Sequence, residues 1–325
     1  MFEQKNFKES LYLVSVENFE SAALEIFTHQ WNENKIYQDY CRYRNKTPLN
    51  TKRLGDIPFL PISFFKSHVI KAGNWQEEKV YLSSGTTTDI RSRHFIKYDQ
   101  DYLDLAKKTF EDNFGSLNNY SLYALLPSYI EQGDSSLISM VDYFMRFSKP
   151  DSRYFLNNKE DLHDQLISKK NEPICLFGVT YALVDFVEKN EHNLPNTIII
   201  ETGGMKGRRK EIIRKDLHQH INKKLCPKSI HSEYGMTELT SQAYSNGEKF
   251  KWPNWAQVLI RDINDPYHYL NDGETGGINI IDLGNIHSCA FIETMDLGKK
   301  DQNGQFEVIG RYDNSDIRGC NLMVT

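Results

Sequence analysis

The sequence predicts an α/β protein in which helices cover a sheet, followed by a smaller β-rich subdomain. Three observations predict it. The first 45 or so residues carry apolar side chains at helical spacing. From residue 80 to about 245, short β-rich runs alternate with amphipathic segments. The last 80 or so residues change to strand-like runs separated by Asn-Asp-Gly and Gln-Asn-Gly turns. The expected division is therefore an α/β core with a helical N-terminus over residues 1–250, then a β-rich subdomain over 251–325.

In chain order, Leu11, Val14, Phe19, Ala22, Ala23, Ile26, Phe27 and Trp31 recur three or four residues apart, which predicts two or three helices. The stretch IPFLPISFFKSH (57–68) holds two prolines, which argue against a long helix, and its aromatics suggest a buried connector. KVYLSS, SLYALLP, PICLFG, NTIIIE and SIHSEYG read as strands of a parallel sheet. Helices are expected after Asp99, after Asp134, and near 159–170, 180–190 and 209–224. AQVLIRDI, GGINIID, SCAFIETM and FEVIGRY read as the strands of the β-rich part. The one basic run, KGRRKEIIRK (206–215), is broken by glutamate and apolar residues and reads as a solvated helix face.

Composition bounds the function. At 325 residues and 39% hydrophobic content the chain can build a proper core, and a net charge of −5 with a pI near 6.1 disfavours nucleic acid and anionic membrane as partners. The five cysteines (41, 175, 226, 289 and 320) are scattered and form no Cys-x-x-Cys pair, so a reducing cytoplasm without structural zinc is expected. The polar N-terminus MFEQKNFKES carries no apolar targeting stretch, and no run is long enough to span a membrane.

In an open parallel sheet ligands collect beyond the carboxyl ends of the strands, and three unusual segments fall there: SSGTTT, ETGGMKG and SEYGMTE. Ser83, Ser84, Gly85, Thr86, Thr87 and Thr88 are small residues, five of them hydroxylated. Small side chains let backbone N–H groups approach an anion and hydroxyls add donors to phosphate oxygens, although such a stretch can equally be a polar loop. The segment is neither a Walker A loop nor Gly-x-Gly-x-x-Gly. In Tyr234-Gly235-Met236-Thr237-Glu238, a carboxylate beside a hydroxyl could hold Mg²⁺ against a phosphate, and Glu238 reads as readily as a helix-start residue.

These two loops, with Gly203-Gly204 between them, Asp296 in ETMDLG and GRYDNSDIRG at 310–319, stand in the order of the core motifs of adenylate-forming enzymes. The sequence resembles the acyl-protein synthetase (LuxE) family of bacterial bioluminescence and, more distantly, the phenylacetate–CoA ligases, from FLPISFFKS to the last residues. The resemblance implies the N-terminal core of an adenylate-forming enzyme that binds ATP, Mg²⁺ and a carboxylic acid, a fatty acid in that family. It places Ser83 to Thr88 on the β- and γ-phosphates. Gly203, Gly204, Tyr234 and Gly235 fall at the adenine, and Thr237 at phosphate. Glu238 falls on Mg²⁺, Asp296 on the ribose hydroxyls, Arg311 near the α-phosphate, and Asp313 at the hinge between large and small domains.

Two departures matter. Thr88 stands where the phosphate loop usually ends in glycine. The chain also stops at Thr325, so the C-terminal domain that usually carries a catalytic lysine is expected to be truncated. Lys206, Arg208, Arg209 and Arg318 are then candidates for the missing positive charge. The resemblance implies that Cys320 accepts the acyl group as a thioester, with Arg318 favouring its thiolate, and hands it to a partner protein such as a fatty-acid reductase. The alternatives are an acyl-CoA ligase of the phenylacetate type, an acyltransferase that needs no ATP, and a non-catalytic nucleotide- or acyl-binding protein.

Overall fold

A computed structural model describes residues 7–84, 90–126, 134–156, 158–203 and 213–312. The chain divides into one unit made of residues 1–74 with 254–325, and a second made of 75–253. The division read from the sequence falls once, at residue 250, and joins the N-terminal helices to the core; here those helices belong with the β-rich strands.

The first unit begins with helices α1 (Phe7–Tyr12), α2 (Phe19–Glu33) and α3 (Lys35–Tyr43), then strand β1 (Leu60–Pro61) and helix α4 (Phe64–Ser67). Helix α2 buries Phe19, Ala22, Ala23, Ile26, Phe27 and Gln30, the stripe that helical spacing foretells. Asn34 ends α2 and starts α3, its side chain accepting from Tyr37 N–H (3.0 Å). The aromatic connector is buried as expected, with Phe59 and Phe65 in the core.

The second unit opens with β2 (Lys79–Leu82) and β3 (Arg93–Ile96), an antiparallel hairpin. Then α5 (Asp99–Phe114), β4 (Ser121–Leu125), α6 (Ser136–Phe147), β5 (Arg153–Tyr154), α7 (Lys159–Ser168), β6 (Ile174–Val179), α8 (Thr180–Lys189), β7 (Thr197–Thr202), α9 (Arg214–Leu225) and β8 (Ser229–Tyr234) alternate. Strands β9 (Ala243–Asn246) and β10 (Lys249–Lys251) close the unit. The sheet order is β5–β4–β6–β7–β8–β9–β10; the first five strands are parallel, and β9 and β10 run antiparallel.

Two features depart from the parallel sheet read from the sequence. KVYLSS pairs with residues 93–96 in its own hairpin, and the sheet turns antiparallel after β8. Connection length explains both. Residues 83–92 and 235–242 are too few for the helical crossover of a dozen or more residues that parallel neighbours need. Where the crossovers are helical, β4, β6 and β7 are buried at every position, the continuous apolar runs of a doubly covered sheet. Phe110, Phe144, Leu162, Leu183, Phe186 and Ile221 bring α5 to α9 into that core.

The first unit resumes with β11 (Ala256–Arg261), β12 (Gly276–Asp282), β13 (Phe291–Lys300) and β14 (Phe306–Arg311), an antiparallel meander joined by β1 in parallel with β13. The sharp β13–β14 turn places Gly304 at φ 76°, where a side chain would be strained. The N-terminal helices dock through buried amides: Gln30 Nε2 donates to Asn285 O (2.9 Å) and Ile286 O (3.0 Å), Gln30 Oε1 accepts from Ala290 N–H (2.9 Å), and Asn34 Nδ2 donates to Ser288 O (2.9 Å). These bonds are why residues 1–74 group with the late strands. Arg261, 2% exposed, lies where Gly277 leaves room: a Cβ there would come within 2.5 Å of its guanidinium carbon. It donates to Ile278 O (3.1 Å), Asn279 Oδ1 (2.7 Å), Thr294 O (2.7 Å) and the Tyr312 hydroxyl.

Candidate active site

At the carboxyl ends of β6, β7 and β8 in the second unit lies a cleft of about 190 Å³. Val179 ends β6, Thr202 and Gly203 end β7, and Glu233 and Gly235 mark the end of β8. Ser84 after β2, Ser136 at the start of α6, and Thr237 complete this part of the wall. The cleft occupies the position where open parallel sheets collect ligands. It gathers residues from each of the three segments that stood out in the sequence.

Ser84 is exposed in the cleft, while Ser83 is spent on structure: its N–H donates to Ser92 O (3.1 Å) and its hydroxyl accepts from Ser92 N–H (2.9 Å). Arg91, which the sequence reading did not single out, fixes the start of the phosphate-loop segment. Its Nε donates to Ser83 O (2.5 Å) and its Nη1 to Asp134 Oδ2 (3.1 Å). Gly85, Thr86, Thr87 and Thr88 lie outside the described residues.

Gly203 sits at φ 68°, and its carbonyl accepts from the Thr180 hydroxyl (2.9 Å). The same hydroxyl donates to Glu201 Oε2 (2.8 Å), whose other oxygen accepts from the Ser232 hydroxyl (2.5 Å). A buried polar network therefore holds the end of β7 from one face of the sheet. Gly204 and the charge candidates Lys206, Arg208 and Arg209 lie outside the described residues.

Strand alternation splits the end of β8 between two faces. Tyr234 turns toward Phe250 and Trp252, with ring centroids at 5.6 and 5.9 Å. Glu233 turns the other way and lines the cleft, with Oε2 accepting from the Thr202 hydroxyl. Burial, reinforced by the nearby Glu201 carboxylate, pushes the Glu233 carboxyl up from 4.5 to about 7, although the Thr202 bond pulls it down. Gly235 makes room for it, since a Cβ there would stand 2.5 Å from Glu233 Oε1.

Thr237 lines the cleft, and its carbonyl accepts from Nδ1 of His94 (2.7 Å), a fully buried residue of β3. One histidine thus ties the Ser83–Ser84 hairpin to the Thr237 loop, a link the sequence reading missed. Glu238, next in the chain, is 6% exposed. Its carboxylate is a hard oxygen donor of the type Mg²⁺ takes, and no cluster of three or more His, Cys, Asp or Glu with metal-binding geometry occurs among the described residues. An ion there would therefore rely on phosphate oxygens as well.

Asp296 and Arg311 belong to the other unit, where they are register partners across β13 and β14. Asp296 is half-buried, its N–H donating to the Thr294 hydroxyl (3.1 Å), and Arg311 is exposed. Asp313, Arg318 and Cys320 lie outside the described residues. Of the cysteines that are described, Cys41, Cys175 and Cys289 are buried, and burial pushes their thiols up, Cys41 to about 12; Cys226 is exposed. No helix among the described residues is long and apolar enough to cross a membrane.

No family model and no curated protein matches the sequence. Solved structures do match the fold. A 2-hydroxyisobutyryl-CoA ligase in an open conformation, in complex with 2-HIB-AMP and CoA, superimposes with a TM-score of 0.66 at 11% identity, covering 96% of this chain and 76% of that one. ATP-bound MatB from Rhodopseudomonas palustris superimposes with a TM-score of 0.53 at 18% identity, covering 71% of this chain. A double mutant of o-succinylbenzoate CoA synthetase (MenE) from Bacillus subtilis gives 0.52 at 16%, covering 72%. This chain spans about half the length of the latter two, 47% and 49%. Its fold is that of the N-terminal domain of adenylate-forming enzymes.

Proposed function

We propose that the chain activates a carboxylic acid with ATP as an acyl-adenylate and transfers the acyl group to a thiol. One observation carries the reading: Ser84, Gly203 and Thr237, from three segments far apart in sequence, line one cleft beyond the parallel strands, in a fold shared with an ATP-bound and an acyl-AMP-bound protein.

In this reading Ser84 and the Thr237 hydroxyl meet phosphate oxygens and Gly203 offers its small surface to the adenine, while Tyr234, turned toward Phe250 and Trp252, does not line the cleft. Glu238 holds Mg²⁺, which neutralises phosphate charge when bound. An oxygen of the substrate carboxylate bonds to the α-phosphorus as the bond to pyrophosphate breaks. The carboxylate is already ionised at neutral pH, so positioning and charge neutralisation supply the catalysis without a general base. Lys206 and Arg318 are the cations assigned to the developing charge.

The Cys320 thiolate then attacks the acyl carbonyl carbon, AMP leaves, and the thioester passes the acyl group to a partner protein, with a fatty acid as the substrate implied by the acyl-protein synthetase resemblance. The buried, high-pKa state of Cys41, Cys175 and Cys289 supports a thiol elsewhere as nucleophile. A second reading, in which coenzyme A is the thiol, is favoured by the CoA in the 2-hydroxyisobutyryl-CoA ligase complex.

The test is incubation with ATP, Mg²⁺ and a panel of carboxylic acids, in the absence and presence of coenzyme A, following pyrophosphate release, acyl-CoA formation and intact mass with and without hydroxylamine. Acid-dependent release with a hydroxylamine-labile adduct that Cys320→Ser abolishes supports the protein-thioester route. Release with acyl-CoA formed by Cys320→Ser selects the CoA route, and no acid-dependent release with any member removes the activation itself.

A further inference from the structure

Two side chains with acceptor oxygens line the cleft, and one of those oxygens is buried without a partner among the described residues. Gln242 is 4% exposed and lines the cleft, and its side-chain oxygen has no hydrogen-bond partner among the described residues. Glu233 lines the same cleft; Oε2 is engaged by the Thr202 hydroxyl, whereas Oε1 lies over Gly235, which has no side chain to answer it.

A buried acceptor left unmet is unfavourable, and native proteins retain few of them without a reason. Leu82, Ile138, Met140 and Val179 add apolar surface to the same space, beside the hydroxyl residues Ser84, Ser135, Ser136 and Thr237. A plain alkyl chain could cover those four apolar residues, but it would leave the Gln242 oxygen unmet and screen the Glu233 carboxyl from solvent, offering neither a donor. A site built to hydrogen-bond a substrate group discriminates strongly against the analogue lacking it, for this same reason.

We infer that the acid activated in this cleft carries a hydrogen-bond donor on its carbon chain, a hydroxyl or an amino group, which the side-chain oxygens of Glu233 and Gln242 receive. The inference rests on the acid-activating function proposed above and narrows its substrate class. Glu233 and Gln242 become specificity-determining residues: they take no part in bond making at the carboxylate, but they decide which chain accompanies it. A hydroxyl has one proton to donate and an ammonium group three, so matched substrates distinguish the sources of the donor.

The experiment is ATP–pyrophosphate exchange with Mg²⁺ on two acid series, butanoate and decanoate. Each is offered unsubstituted and with a hydroxyl or an amino group at carbon 2, 3 or 4. At least one substituted acid is expected to exceed its unsubstituted parent at least tenfold in kcat/KM. Glu233→Gln and Gln242→Met, which nearly conserve volume, are expected to shrink that preference to under threefold by raising the KM of the substituted acid, while the KM of ATP stays within twofold. Exchange in which the unsubstituted acids are equal or better overturns the inference and leaves acid activation standing. So does a pair of variants that raises the KM of ATP and keeps the acid preference, because the two oxygens would then serve the nucleotide. The wild-type comparison decides the question even where a variant fails to fold. Absence of exchange with every acid overturns the activation itself, and the inference with it.

Discussion

Replacing Glu233 by glutamine should make the protein more stable at neutral pH and change nothing in acid. In the folded chain burial, with the nearby Glu201 carboxylate adding to it, pushes the Glu233 carboxyl up from 4.5 to about 7. Between these two values the folded state holds a proton that the unfolded chain releases, so stability falls as pH rises from about 4.5 to about 7 and is flat above that. At roughly 1.4 kcal/mol per tenfold change in proton affinity, ionising this group in the folded state costs about 3 kcal/mol. Glutamine keeps the shape and can still accept from the Thr202 hydroxyl, but it carries no charge. Urea denaturation at pH 4.5, 6 and 8 is the assay. The variant should be within about 0.5 kcal/mol of wild type at the lowest pH and about 2–3 kcal/mol above it at pH 8. A difference that does not change with pH would refute the argument, since it would mean that Glu233 ionises as easily in the cleft as in water.

Other expectations follow from neighbouring contacts. Gly235→Ala forces a methyl against Glu233 Oε1 and should cost about 1–3 kcal/mol, and pairing it with Glu233→Ser should recover much of that, as a double-mutant cycle in urea would read. His94→Ala leaves the Thr237 carbonyl without its donor; about 1–3 kcal/mol of stability and most acid-dependent pyrophosphate exchange should be lost, whereas unchanged exchange would show that the hairpin and the Thr237 loop need no such tie. Arg261→Met abandons two backbone carbonyls and the Asn279 side chain in the first unit, and a loss of about 3–5 kcal/mol should appear as a lowered melting temperature. Cys226→Gly relieves a left-handed residue (φ 39°) at the end of α9 and should raise stability by about 0.5–1 kcal/mol in the same assay.

The sequence made the helix-covered sheet legible because buried parallel strands write themselves as unbroken apolar runs; ICLFGV and TIIIET leave little choice. Strand direction after β8 was not legible, since it depends on the length of a connection rather than on composition. The N-terminal helices were visible as helices, but their partner was not. The contacts that place them are made by Gln30 and Asn34, polar residues whose value lies in backbone groups some 250 positions away. At the site, small and hydroxylated residues after strands marked Ser84, Gly203 and Thr237. Glu233 was passed over because it stands one place before the conspicuous Tyr234-Gly235, and alternation along a strand gives those neighbours opposite faces. A signal was present all the same: a carboxylate near the end of a strand that leads into a glycine. His94 and Gln242 carried none, for a single histidine or glutamine acquires meaning only from what it touches.

The first unit is assembled from both ends of the described chain, and residues 75–253 are inserted between them. During synthesis, therefore, the inserted segment can complete its own sheet while helices α1 to α3 still lack the strands that bury them. Gln30 must wait for a partner 255 residues downstream, so helices α1 to α3 emerge well before they can acquire their final neighbours. Helper proteins that shield apolar helices on the ribosome would have their longest task at these three helices.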